Sequence, residues 1–155
     1  MNTLKIQQEL VKAAFTRDYK NKRAEMLYGV TGDYVVVVPD GYTLYKIPKA
    51  FFYLDPETVF EGRKNERIER FLDDSNAMSA TDTHASIVET KTGKKRTLHK
   101  FILEDGKPAY IDEKFLKCFD LDISTFKAVS PISPLFIYEY GEMVGLVLPV
   151  RYVED

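Results

Sequence analysis

Tyr110-Ile111-Asp112-Glu113-Lys114-Phe115-Leu116-Lys117-Cys118-Phe119 reads as a short capped helix. The Asp112 carboxylate can accept a bond from an early backbone N–H of a helix, one of the donors that a helix start leaves without an internal partner. Ile111 and Leu116 sit at the spacing of a hydrophobic staple across that cap. Phe115, Leu116 and Phe119 then share a buried face, while Lys114 and Lys117 point away from it. A helix over residues 112–119 is therefore predicted. Downstream, three runs of β-branched and aromatic residues, 123–129, 135–140 and 143–150, predict three strands, with Gly141-Glu142 joining the last two tightly.

Upstream the same order is visible. Residues 3 to about 17 have helical periodicity, with Leu4, Leu10, Val11, Ala14 and Phe15 on one face and Lys5, Glu9, Lys12 and Thr16 opposite. A basic stretch, Lys20-Asn21-Lys22-Arg23, follows. Residues 26–31, 34–38 and 42–47 predict three strands, separated by the turn signals Gly32-Asp33 and Pro39-Asp40-Gly41. Residues 83–90 and 96–103 flank Lys91-Thr92-Gly93-Lys94, a hairpin signal. Between them, residues 56–63 look irregular, and residues 63–74 suggest a short surface helix with Ile68, Phe71 and Leu72 at helical spacing. Each half thus pairs a lysine-bearing helix with three antiparallel strands. The expected architecture is α+β, with two helices packed on one face of a curved antiparallel sheet and pseudo-repeated αβββ halves. One domain over residues 1–155 is expected, with an inserted or irregular segment at about 51–80.

Composition bounds the function classes. Of the 155 residues, 45% are hydrophobic and 30% charged, an ordinary globular balance. A net charge of −2 exerts no global pull toward nucleic acid or membrane, so any such contact needs a local patch. One cysteine, Cys118, allows no disulfide within the chain, which fits a reducing compartment. The first residues lack the basic head and apolar core of a secretory leader, and no apolar run reaches the ~20 residues of a membrane helix. A cytoplasmic protein with no membrane partner is expected.

The 110–119 run resembles the last-domain helix of bacterial DNA polymerase III sliding clamps (beta subunit), where a capping Asn or Asp precedes an aromatic–Leu pair. Ser133-Pro134-Leu135-Phe136-Ile137 is similar to the family's Pro-Leu/Val-x-Ile strand, and Val147-Leu148-Pro149-Val150-Arg151 to its closing Met-Pro-Met-Arg. Order and spacing agree over about the last 45 residues. The resemblance implies a single DNA-clamp-like domain, where the family carries three per chain. It implies that Lys5, Lys12, Lys114 and Lys117, with Lys20, Lys22 and Arg23 nearby, face duplex DNA through sequence-independent backbone contacts. It also implies that Leu148, Pro149, Val150 and Arg151 border an apolar groove for short partner peptides. The residues 51–80 and the extension Tyr152-Val153-Glu154-Asp155 have no counterpart in the family.

No catalytic constellation stands out. Cys118 borders a buried face, as an inert core thiol does. His84 and His99 fall on the two arms of one hairpin and with Asp82 could form a minimal metal site, though the spacing matches no metal-ligand motif; no metal or cofactor is expected. The ten Tyr and ten Phe mostly occupy core positions of strands and helices. The expected function is a non-catalytic, clamp-like accessory or binding domain that associates with DNA. An alternative is a protein-interaction or regulatory module that keeps the fold without binding DNA. Exposed sheet edges would favour a homo-oligomer of such a stand-alone clamp-like domain.

Overall fold

The computed structural model describes residues 1–15 and 26–154. Lys20, Lys22 and Arg23 lie outside the described residues, as does the end of the predicted first helix. The chain divides into two compact units, Met1–Asp73 and Asp74–Asp155. Among the described residues nine strands form, and every pairing between them within a unit is antiparallel, so the α+β class expected from the sequence holds.

In the first unit, α1 (Thr3–Ala14) starts at Asn2, whose Oδ1 accepts from the Lys5 N–H at 3.0 Å. Its buried residues are Ile6, Gln7, Leu10 and Ala14. Leu10 and Ala14 were expected there, but Leu4 and Phe15 are 59% and 65% exposed. The helix is rotated because Gln7 is a core residue. Its amide donates to Thr3 O at 3.0 Å and to Phe51 O at 2.8 Å, and its Oε1 accepts from the Tyr53 N–H at 2.8 Å. Once fully bonded, a buried amide costs little, and this one fixes the helix to the turn at residues 49–53. Strands β1 (Leu27–Thr31), β2 (Tyr34–Val38) and β3 (Thr43–Pro48) form the expected meander.

The middle segment departs from its reading. Pro56–Phe60 is a helical turn, α2, with Asp55 as its cap and Pro56 in its first turn. The predicted surface helix within residues 63–74 shrinks to a 3-10 turn, Ile68–Leu72. Ile68 is fully buried against Gly29, where an added Cβ would come within 2.4 Å of Ile68 Cγ2. Both α-helices among the described residues thus lie in the first unit.

The second unit is a six-stranded antiparallel sheet in the order β9-β8-β7-β4-β5-β6. Its strands are β4 (Met78–Glu89), β5 (Lys95–Leu103), β6 (Pro108–Asp112), β7 (Ser124–Ala128), β8 (Leu135–Glu139) and β9 (Glu142–Val147). Tyr140 and Gly141, both with positive φ, make the tight turn between β8 and β9. After β9 the Val150 N–H donates to Tyr110 O of β6 at 2.9 Å, forming an antiparallel bridge. Three residues span at most about 11 Å, so the sheet curls until β9 ends close to β6.

The helix predicted over residues 112–119 is not formed. Asp112 ends β6, paired with Leu98 of β5, and only a 3-10 turn, Glu113–Phe115, follows. Leu116 N–H donates to Glu113 O and Phe119 N–H to Leu116 O, both three residues back. Leu116, Cys118 and Phe119 are all buried, and positions 116, 118 and 119 cannot share the single stripe of an amphipathic helix. The three-stranded run β7–β9 is present as expected, but a turn rather than a helix precedes it.

Candidate functional site

The break in pairing that ends β6 creates a notch. β5 begins three residues before Leu98, the first residue to pair with β6. Beside Lys95, Arg96 and Thr97 the chain instead turns through residues 113–121, leaving a cleft of about 770 Å³. Five cationic side chains line it: Lys94, Lys95, Arg96, Lys114 and Lys117. Leu116 and Phe119, both buried, and the half-buried Leu121 supply its apolar lining. Two carboxylates, Asp112 and Glu113, also reach it, so five positive and two negative charges give a formal +3 on a chain of net charge −2.

Both carboxylates are turned to structural work. Asp112 is 4% exposed. Its Oδ1 accepts from the Lys114 N–H at 3.1 Å and caps the 3-10 turn, while its Oδ2 accepts from Arg96 Nε at 3.2 Å. One side chain therefore fixes both walls of the notch. Glu113 Oε1 lies 3.4 Å from His99 Nε2, and His99 Nδ1 is 2.8 Å from Asp82. The lysine ammonium groups stand at the rim: Lys94, Lys95, Lys114 and Lys117 are all exposed. Compact cations on flexible stems around an apolar patch suit a polyanion held by charge.

Two of the four lysines expected to face DNA, Lys114 and Lys117, are in this notch. The other two, Lys5 and Lys12, are on α1 in the first unit, Lys5 half-buried and Lys12 exposed. Sequence reading missed Lys94, Lys95 and Arg96, which it treated only as hairpin residues. Leu148 and Pro149 are half-buried and Arg151 is exposed, whereas the backbone of Val150 is bonded to β6. The chain beyond it packs on the same strands. Tyr152 meets Tyr110 edge-on with centroids 5.0 Å apart, and Lys100 Nζ pairs with Glu154 at 3.0 Å. That pair holds the Glu154 carboxyl below and the Lys100 amine above their ordinary ranges, chiefly through the hydrogen bond between them.

His84 and His99 do not meet. A bulge between Asp82 and His84 shifts the register, so His84 faces Lys100 and His99 faces Ala85. Among the described residues no group of three or more His, Cys, Asp or Glu is placed to hold a metal, and no helix is long and apolar enough to cross a membrane. Comparison with known proteins gives no matching family model, no matching curated protein and no matching solved structure.

Proposed function

We propose that the chain is a non-catalytic accessory domain that binds duplex DNA through its phosphate backbone at the notch beside β5. The observation that carries this reading is the convergence of Lys94, Lys95, Arg96, Lys114 and Lys117 on one cleft. Contacts of this kind fix position on a duplex without reading sequence. The sequence resemblance of about the last 45 residues to sliding clamps favours a clamp-like role, although the 112–119 helix on which it rests is a 3-10 turn. The contact itself differs from a clamp's, because Lys114 and Lys117 are presented by a turn and joined by a hairpin rather than carried on a helix face.

The test is titration of a labelled duplex, followed by anisotropy over a range of salt. With five phosphates neutralised by each bound chain, the slope of log K against log salt should approach about −4.5 per chain. Replacing Lys94, Lys95, Lys114 and Lys117 together by Ala should flatten that slope toward about −1, with circular dichroism unchanged. Retention that is absent at about 50 mM salt, or unaffected by the four substitutions, overturns the reading.

A further inference from the structure

β4 is the longest strand, yet β7 pairs with it only at Met78, Ser79 and Ala80. From Thr81 to Glu89 its outer edge has no strand partner among the described residues. Thr83, His84, Ala85, Ser86 and Ile87 are all exposed, Ile87 by 72%. Such an edge is ordinarily blunted by lysine, proline or a bulge. Here the segment 83–88 holds neither lysine nor proline, and the bulge lies at its base, between Asp82 and His84.

The ladder fixes which backbone groups face outward. Thr90 N–H donates to Lys94 O at 2.7 Å, so the pair 90–94 is hydrogen-bonded. Alternation along the β4–β5 register then makes Val88, Ser86 and His84 the residues bonded to β5. Ala85, Ile87 and Glu89 direct their N–H and C=O groups away from it. Two features elsewhere agree with this phase. Pro108, which has no N–H, stands opposite Ile102 at a position that needs no donor, and Tyr110 turns its C=O outward to Val150.

We infer that this edge pairs antiparallel with the same edge of a second copy, about a dyad at Ser86. In that register Ala85 stands opposite Ile87 of the other copy, and both residues have outward-facing backbone groups, so the two Ala85–Ile87 pairs form four hydrogen bonds. His84 meets Val88 and Thr83 meets Glu89, so no like charges oppose. Ile87, the exposed large hydrophobic side chain of the hairpin, is covered by its counterpart and by Ala85. This self-complementarity selects a second copy as the occupant. A seam of about seven residues per strand falls short of the ~800 Å² per partner of a standard interface, so the dimer is a weak one, populated at tens of micromolar.

Sedimentation equilibrium of the full chain, without DNA, should show a monomer–dimer equilibrium in that range. Ile87→Pro removes an outward donor and leaves the β5 ladder intact, and it should give monomer with an unchanged circular dichroism spectrum. Ser86→Cys places two thiols across the dyad at a pair separated by about 4.5–5.5 Å between Cα atoms, within disulfide reach. It should cross-link on mild oxidation, whereas Ala85→Cys, displaced diagonally by about 8 Å, should not. The native Cys118 is buried and does not compete. A chain monomeric at about 500 µM, far above the tens of micromolar expected of so small a seam, overturns the inference, as does equal cross-linking at positions 85 and 86. Because these measurements contain no DNA, their failure leaves the DNA reading untouched, and the reverse also holds.

Discussion

Tyr28 shows how one side chain couples burial to pH. The ring stacks obliquely on Phe60, and its hydroxyl donates to Glu57 Oε1 at 2.8 Å. Burial, followed by the bond to Glu57, raises the phenol from 10.0 to about 12. Between those values the unfolded chain has lost this proton and the folded chain keeps it. The stability linked to Tyr28 is therefore complete below pH 10.0 and is lost as pH rises toward about 12. Tyr138 acts in the same direction, raised by its own burial and by donation to Asp74. Urea midpoints between pH 9 and about 11.5, bracketing the ordinary tyrosine range, should fall with pH. Tyr28→Phe should flatten that fall by up to one proton while costing about 1 kcal/mol at neutral pH for the lost hydrogen bond. A slope identical in the two proteins would show that the phenol ionises freely.

At the scale of the element, α1 depends on a polar residue in the core. Gln7→Ala leaves Phe51 O and the Tyr53 N–H without their partner, at a cost of about 1–3 kcal/mol, whereas Gln8→Ala on the exposed side should cost less than about 0.5 kcal/mol. Chemical denaturation of the two variants measures the difference. The same glutamine explains why the helix itself was legible in the sequence and its orientation was not: apolar periodicity cannot register a buried amide, so Leu4, Val11 and Phe15 looked like the packed face. Strands were read more securely, because Tyr34–Val38 combines β-branched residues with flanking turns and has no helical period to compete. Residues 112–119 carry a cap, a staple and an apolar triplet, all local signals of a helix. What overrides them is the pairing of Asp112 with Leu98, which extends β6 to the cap residue and leaves only a tight turn's worth of chain. The candidate site was half legible for the same reason. Lys114 and Lys117 were recognisable as surface cations, but their meeting with Lys94, Lys95 and Arg96 depends on the register of β5 against β6, which no local pattern encodes.

At the scale of the whole molecule, the proposed contact at the notch and the proposed pairing of the β4 edge would combine. Strands paired antiparallel about a dyad keep corresponding faces on the same side of the sheet, so a dimer through β4 presents both notches to one side. Arg96 lies opposite Val88, two residues from Ser86 along the strand. Across four strands in the order β5-β4-β4-β5, the two Arg96 positions are then about 20 Å apart, from three interstrand spacings and two short offsets along the strands. On the proposed reading, that separation would let both notches reach one duplex. Ten cations in place of five would steepen the salt slope from about −4.5 toward about −9 and raise apparent affinity by avidity. Ile87→Pro touches no residue of the notch, so on the dimer account it should lower affinity for a 30-base-pair duplex by at least about tenfold and halve the salt slope. On a monomeric account both quantities should match those of the unmodified chain. The same titration with Lys94, Lys95, Lys114 and Lys117 replaced by Ala separates the causes: it should weaken binding and flatten the salt slope toward about −1 per chain while leaving the sedimentation behaviour intact.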